Sequence, residues 1–365
     1  MKDTYVAVKV HSAKDNQCAF NEIQHPNVEH STDRFIFEGV NGRHLCTVLE
    51  PFGRDLRTVL EEALDIGYVS GSREKYVPHR WSVKFGREIC RQILLGLESL
   101  HSQKIAHRDL SPGNIAFAIS NDLALMSIDE IQSSNCWNTD AIEGEEFTDW
   151  DARNLKASPV RMTERLDGKP LGAHEIQYVV YPRPLHDRLV IDDLPPFRVV
   201  IIDLGESKAF DDCNQRLYQP SNYRSPEAIL PIPITYKTDI FTAGIVFWET
   251  VMLRNIVWTS FNDKGPIDSS YLKDLAIRIG PPPDHYLQAF NALEDDLEYE
   301  VPKEEDDFSY GDMRLAAKRD GPKDMSDDER QLFVDLMERM LQWEPEKRWE
   351  AAELLQHPFF DTAYK

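Results

Sequence analysis

The sequence predicts an α+β fold of two lobes, a small strand-rich one followed by a larger helical one. Two observations carry this. Before Pro51 the apolar residues alternate in short runs, the two-residue period of half-buried strands. After Gly53 they recur at helical spacing, with breaks at Gly265-Pro266 and Pro281-Pro282-Pro283.

Taken in order, Tyr5 to Val10 reads as a strand, and Asn16 to Gln24 as a short helix that Pro26 stops. Arg34 to Phe37 and His44 to Leu49 read as strands joined by a turn at Asn41-Gly42. Ser82 to Ser102 places Val83, Phe85, Ile89, Ile93, Leu94, Leu97 and Leu100 largely on one helical face. Ile240 to Leu253 is the longest apolar stretch; Thr242 and Glu249 interrupt it, so it reads as a buried core helix and not a membrane span. Between Asn121 and Pro196 periodicity is lost, which predicts an insert. The acidic run from Glu294 to Asp307 reads as an exposed loop.

Composition narrows the function. At 41% hydrophobic and 28% charged, the chain reads as a globular protein. Five scattered cysteines without a CxxC argue against a disulfide framework or zinc site and fit a reducing compartment. The first residues show no signal-peptide pattern, so the expected location is intracellular, cytoplasmic or nuclear. A net charge of −22 argues against nucleic acid or an anionic membrane as partner and favours a basic protein. Nothing in the sequence indicates an oligomeric state.

Five motifs follow one another. His107-Arg108-Asp109-Leu110-Ser111-Pro112-Gly113-Asn114 lies between the long amphipathic helix and an apolar strand, Ile115 to Ile119. Such a tight loop can offer a carboxylate to a hydroxyl and, five residues on, an amide oxygen to a metal. Taken alone, its Asp could equally be a helix N-cap. A second apolar strand, Phe197 to Ile202, ends in Asp203-Leu204-Gly205. Then come Tyr223-Arg224-Ser225-Pro226-Glu227, Asp239 to Gly244 opening the apolar helix, and Pro345-Glu346-Lys347-Arg348-Trp349. Upstream stands Val6-Ala7-Val8-Lys9.

Each is weak singly; in this order the chain resembles a eukaryotic-type protein kinase catalytic domain. Within the kinases it is similar to the SR-protein kinase family, in Gly39 to Cys46 leading into Leu49-Glu50-Pro51-Phe52-Gly53, in Asp203-Leu204-Gly205 and in Tyr223 to Glu227. The resemblance implies one catalytic domain over 1–365, with an N-lobe over 1–50, a C-lobe over 51–365 and an insert over 121–196. It implies serine phosphorylation in Arg/Ser-rich proteins, with ATP and Mg²⁺. Asp109 would be the base, Asn114 and Asp203 would hold Mg²⁺, and Lys9, partnered by Glu22, would hold phosphates. Leu49 would be the gatekeeper, and Glu50 to Phe52 would face adenine. Glu227 would pair with Arg348, and Asp239 would brace the catalytic loop.

Departures are local. The sequence opens almost at the Lys9 strand, and no G-x-G-x-x-G occurs among its seventeen glycines. Ser111 stands where Ser/Thr kinases usually have Lys, and Pro220 where they have Thr. The alternatives to an active kinase are a pseudokinase scaffold and a fragment of a longer chain.

Overall fold

The computed structural model describes residues 6–11, 23–39, 42–64, 81–119, 160–162, 170, 178–180, 197–262, 265–292 and 312–361. The chain forms two compact units. The smaller comprises 1–22, 29–54 and 116–197, and the larger 23–28, 55–115 and 198–365.

In the smaller unit, β1 (Ala7–Val10), β2 (Ser31–Gly39) and β3 (Gly42–Leu49) form an antiparallel sheet in the order β1-β3-β2. Lys9 lies opposite Thr47, and Gly39 pairs with Gly42 across the hairpin. The two strands expected at Arg34–Phe37 and His44–Leu49 are thus one longer hairpin. Cys46, Thr47 and Leu49 are its buried side chains, while Val8, Val10, Phe35, Ile36 and Phe37 are exposed. His11 ties β1 to β3, its amide donating to Leu45 O at 2.8 Å and its ring lying 2.9 Å from Thr47 Oγ1. Within the expected insert, β7 (Val160–Met162) pairs with β8 (Tyr178–Val180).

The helix expected over Asn16–Gln24 is corrected in part: Ile23 and Gln24 are not helical, and the rest lies outside the described residues. The chain after Pro51 is also not helical at once. Phe52–Asp55 is strand β4, and helix α1 begins at Leu56 (Leu56–Leu64). Asp55 sets that start, because its carboxylate accepts from the Thr58 amide at 2.8 Å.

The larger unit is built on two helices. Helix α2 (Val83–Ser102) starts at its N-cap Ser82, whose hydroxyl accepts from the Phe85 amide. Its predicted apolar face is buried throughout. Helix α3 (Lys237–Met252) is buried on every side, as its apolar sequence requires. Leu253 closes it in the left-handed region at φ 51°. The two helices approach closely at Gly86, where a Cβ would lie 3.1 Å from Thr250 O. Trp81 donates to that same carbonyl at 2.8 Å, satisfying an acceptor in the last turn of α3. Helices α4 (Asp268–Ile279), α5 (Asp284–Ala292), α6 (Met313–Asp320), α7 (Asp327–Met340) and α8 (Ala351–Leu354) complete the unit. Among the described residues no helix is long and apolar enough to cross a membrane.

Candidate active site

The catalytic loop hangs from one buried carboxylate. Asp239, in the first turn of α3, is fully buried and accepts from the His107 amide at 2.7 Å and the Arg108 amide at 2.8 Å. The His101 ring, at the end of α2, donates at 3.0 Å. Burial pushes the Asp239 carboxyl up, but these donors outweigh it and hold the group below the ordinary carboxylate value.

His107 links the loop to the strand before Asp203. The Asp109 amide donates to its Nδ1 at 3.2 Å. The proton therefore sits on Nε2, which donates to Ile202 O at 3.1 Å. The Ile202 amide in turn donates to Asn114 O at 2.9 Å. Strand β9 (Val199–Ile201) thus delivers Asp203 beside the loop. Asp203 takes φ 60° and Arg108 φ 70°, a conformation that costs free energy in non-glycine residues and concentrates at functional sites.

Asn114 donates through Nδ2 to Asp109 O at 2.7 Å and to Asp109 Oδ2 at 3.0 Å. This fixes the carboxylate and leaves the amide oxygen as the remaining acceptor. Burial raises the Asp109 pKa, and the nearby Asp203 and Glu206 carboxylates add to the rise; His107 and Asn114 oppose it. The oxygen ligands Asn114 and Asp203 fit a small hard cation. Gly205 leaves the Asp203 carboxylate room, since a Cβ there would stand 3.2 Å from Oδ1. Among the described residues no group of three or more His, Cys, Asp or Glu could hold a metal. Magnesium bound to a nucleotide commonly takes one or two protein carboxylates plus phosphates and water.

The segment after Asp203 is anchored at both ends. Arg108, 2% exposed, donates to Glu206 O, Gln215 O and Arg216 O at 3.3, 2.7 and 3.0 Å. Strand β10 (Lys208–Ala209) pairs with β5 (Ile105–Ala106). Phe210 stacks on Tyr236 at 3.8 Å. Further on, Glu227 and Arg348 form the expected pair, bidentate at 2.6 and 2.7 Å with both side chains fully buried. Ser111 is buried and extended. Next to Pro220, Gln219 donates to Thr238 and Thr242 Oγ1 and accepts from the Ser225 amide at 3.3 Å. That network fastens the segment without the Lys and Thr that the sequence lacks.

Asp109, Asn114 and Asp203 therefore come together in the larger unit. Lys9, Leu49, Glu50 and Phe52 belong to the smaller one, with Lys9 and Glu50 half-buried and Leu49 buried at the end of β3. Glu22 lies outside the described residues.

Two further groups escaped the sequence reading. Asn27, in the turn at Pro26, donates to Val199 O at 2.7 Å and Gln92 Oε1 at 3.2 Å, and its carbonyl accepts from the Ile201 amide. It thereby seats β9. Glu249, buried in α3, accepts from the Tyr223 hydroxyl at 2.8 Å. Burial raises its carboxyl to about 7, while the Tyr223 bond and Arg57 pull the other way. A glutamate within the longest apolar stretch was the available signal, because a buried acid demands a partner.

A carboxylate fixed by the asparagine five residues on, a second acid closing a buried strand, and a Glu–Arg clasp beyond them define the catalytic unit of a protein kinase. The comparisons agree: part of the chain matches a protein kinase domain, and the fold is that of a protein kinase. Residues 189–360 match the protein kinase domain model. A serine/threonine protein kinase of Aspergillus fumigatus is 22% identical over 90% of this chain and 67% of its own length. The human dual specificity protein kinase CLK1 is 24% identical over 99% of this chain and 61% of its own. The chain thus spans about two thirds of the length of these relatives. The kinase domain of PF14_0431, a solved structure, shares the fold at TM-score 0.53 and 17% identity, covering 93% of this chain and 80% of that one. A protein kinase domain implies ATP as phosphoryl donor, typically with magnesium.

Proposed function

We propose that the chain transfers the γ-phosphoryl group of ATP to a serine or threonine hydroxyl of a protein. The observation that carries this is the fixing of the Asp109 carboxylate by Asn114, within the influence of Asp203. Asp109 orients the acceptor hydroxyl and takes its proton as the oxygen attacks phosphorus. Asn114 and Asp203 would hold Mg²⁺, which when bound neutralises charge on the phosphates. Lys9 is assigned to the phosphates by its place in Val6-Ala7-Val8-Lys9, with Glu22 as its partner. Leu49 to Phe52 are assigned to the adenine. Catalysis of this kind rests on positioning and electrostatics, so the rigid seat of Asp109 is its main asset.

The net charge of −22 and the resemblance of Gly39 to Gly53 to the SR-protein kinase family support a basic, Arg/Ser-rich substrate, and the five scattered cysteines fit an intracellular setting. The test is nucleotide titration by calorimetry with and without Mg²⁺, followed by radiolabel transfer to an Arg/Ser-rich peptide. Mg²⁺-dependent binding, with transfer that disappears in Asp203→Ala, is the expected result. No binding at millimolar ATP and no transfer above the variant's background would leave a pseudokinase scaffold.

A further inference from the structure

The catalytic loop carries no cation between its base and its metal ligand, where the residues are Leu110, Ser111, Pro112 and Gly113. One nevertheless lies on it. Arg57, in the first turn of α1, folds its guanidinium onto Gly113 so closely that a Cβ on residue 113 would stand 2.9 Å from Nη2 and 3.1 Å from Cζ. Residue 113 is open in the sequence where the arginine needs it to be.

Local stability does not explain this placement. A positive charge in a first helical turn opposes the helix dipole, the turn itself holds no acid, and the Asp55 cap before it is engaged with the Thr58 amide. Arg57 is exposed and forms no ion pair among the described residues. It acts through space on Tyr223 and Glu249, but the Glu249 carboxylate is buried and already accepts from Tyr223 at 2.8 Å. The guanidinium keeps an unspent charge and free donors beside the reacting centre. Gly113 adjoins Asn114, whose amide holds Asp109 Oδ2 at 3.0 Å. A substrate chain that brings its hydroxyl to Asp109 and continues extended, at roughly 3.3 Å per residue, passes Arg57 within a few residues.

We propose that Arg57 is a specificity-determining residue, selecting substrates that carry an anionic side chain, a carboxylate or a phosphate ester, within a few residues of the acceptor hydroxyl. This rests on the kinase reading above. It is compatible with a basic substrate overall: the charge of the whole chain attracts at range, and Arg57 reads one anion at contact, where a guanidinium fork matches carboxylate and phosphate.

The experiment uses the full chain and peptides with one acceptor serine, varied two residues before or after it among Asp, phosphoserine, Ala and Arg. Binding is read by fluorescence anisotropy without nucleotide, and transfer by radiolabel from ATP. The anionic peptides should bind about fivefold better than the Arg peptide. Phosphoserine should exceed Asp if the phosphate ester is the preferred anion, and the order should be reversed if it is the carboxylate. Arg57→Glu should invert the anion preference, Arg57→Lys should keep most of it, and Gly113→Ala, which pushes the guanidinium aside, should weaken it with Arg57 still present. The same ranking in wild type and Arg57→Glu would overturn the proposal, as would failure of every peptide to bind. Anion-selective binding without transfer to any peptide would instead count against the kinase reading and leave Arg57 standing.

Discussion

Asp109 is held by groups that an asparagine in its place could still satisfy, since an amide oxygen would accept from Asn114 as the carboxylate does. Asp109→Asn should therefore abolish phosphoryl transfer with an unchanged melting temperature, and undiminished turnover would remove Asp109 from the mechanism. Glu227 and Arg348 are different, because among the described residues each is the other's one ion-pair partner, in a fully buried site. Removing either strands a charge, so each alanine variant should lose ~3 kcal/mol or more and the double variant less than the sum. Strict additivity in denaturant titrations would show that the two act independently. Glu249 supplies a pH dependence. Its folded-state pKa is raised from 4.5 to about 7, so the native state binds the proton more tightly than the unfolded chain does. The stabilisation is complete below about pH 4.5 and is lost as pH rises through about 7. Glu249→Gln keeps an acceptor for Tyr223 and removes the slope. It should be more stable than wild type at pH 8, by an amount on the order of 3 kcal/mol, with no comparable gain near pH 4. Equal gains at both pH values would mean that the carboxyl does not titrate with folding.

Helix α2 was legible because one apolar face repeats from Val83 to Leu100 behind a Ser cap, and α3 because nothing but a buried position suits its composition. Strand β4 was not, since Phe52-Gly53-Arg54-Asp55 is too short and polar to show a period, and Gly53 read as a break. The role of Asn27 was hidden for another reason. Its partners Gln92 and Val199 lie 65 and 172 residues away, beyond any local pattern. The Asp109–Asn114 loop, Asp203, the Asp239 brace and the Glu–Arg clasp were legible as motifs in order, whereas the Arg57–Gly113 contact depends on how α1 meets the loop. Gly96 shows the same dependence. A Cβ there would lie 2.7 Å from Asn27 O and 2.8 Å from Ile201 Cδ1. Gly96→Ala, favourable for an isolated helix, should here cost ~1–3 kcal/mol, and a rise in melting temperature would show that the Asn27 turn can retreat.

At the scale of the whole molecule the net charge of −22 acts beyond any single contact. Binding of a Lys/Arg-rich peptide should weaken with added salt, since screening sets in over ~8–10 Å at ordinary ionic strength. An affinity indifferent to salt would place recognition in short-range contacts alone. The clasp between Glu227 and Arg348 also bears on how the chain is made. Its partners are 121 residues apart in sequence. At ~5–20 residues per second a ribosome needs roughly 6–24 s to bring Arg348 out after Glu227. Throughout that interval the nascent chain holds an acid that its finished core would bury, and cannot yet neutralise it. Completion of the larger unit is thus deferred until Arg348 has emerged, and a chain truncated just before Arg348 should be retained by chaperones or degraded, however intact its catalytic loop.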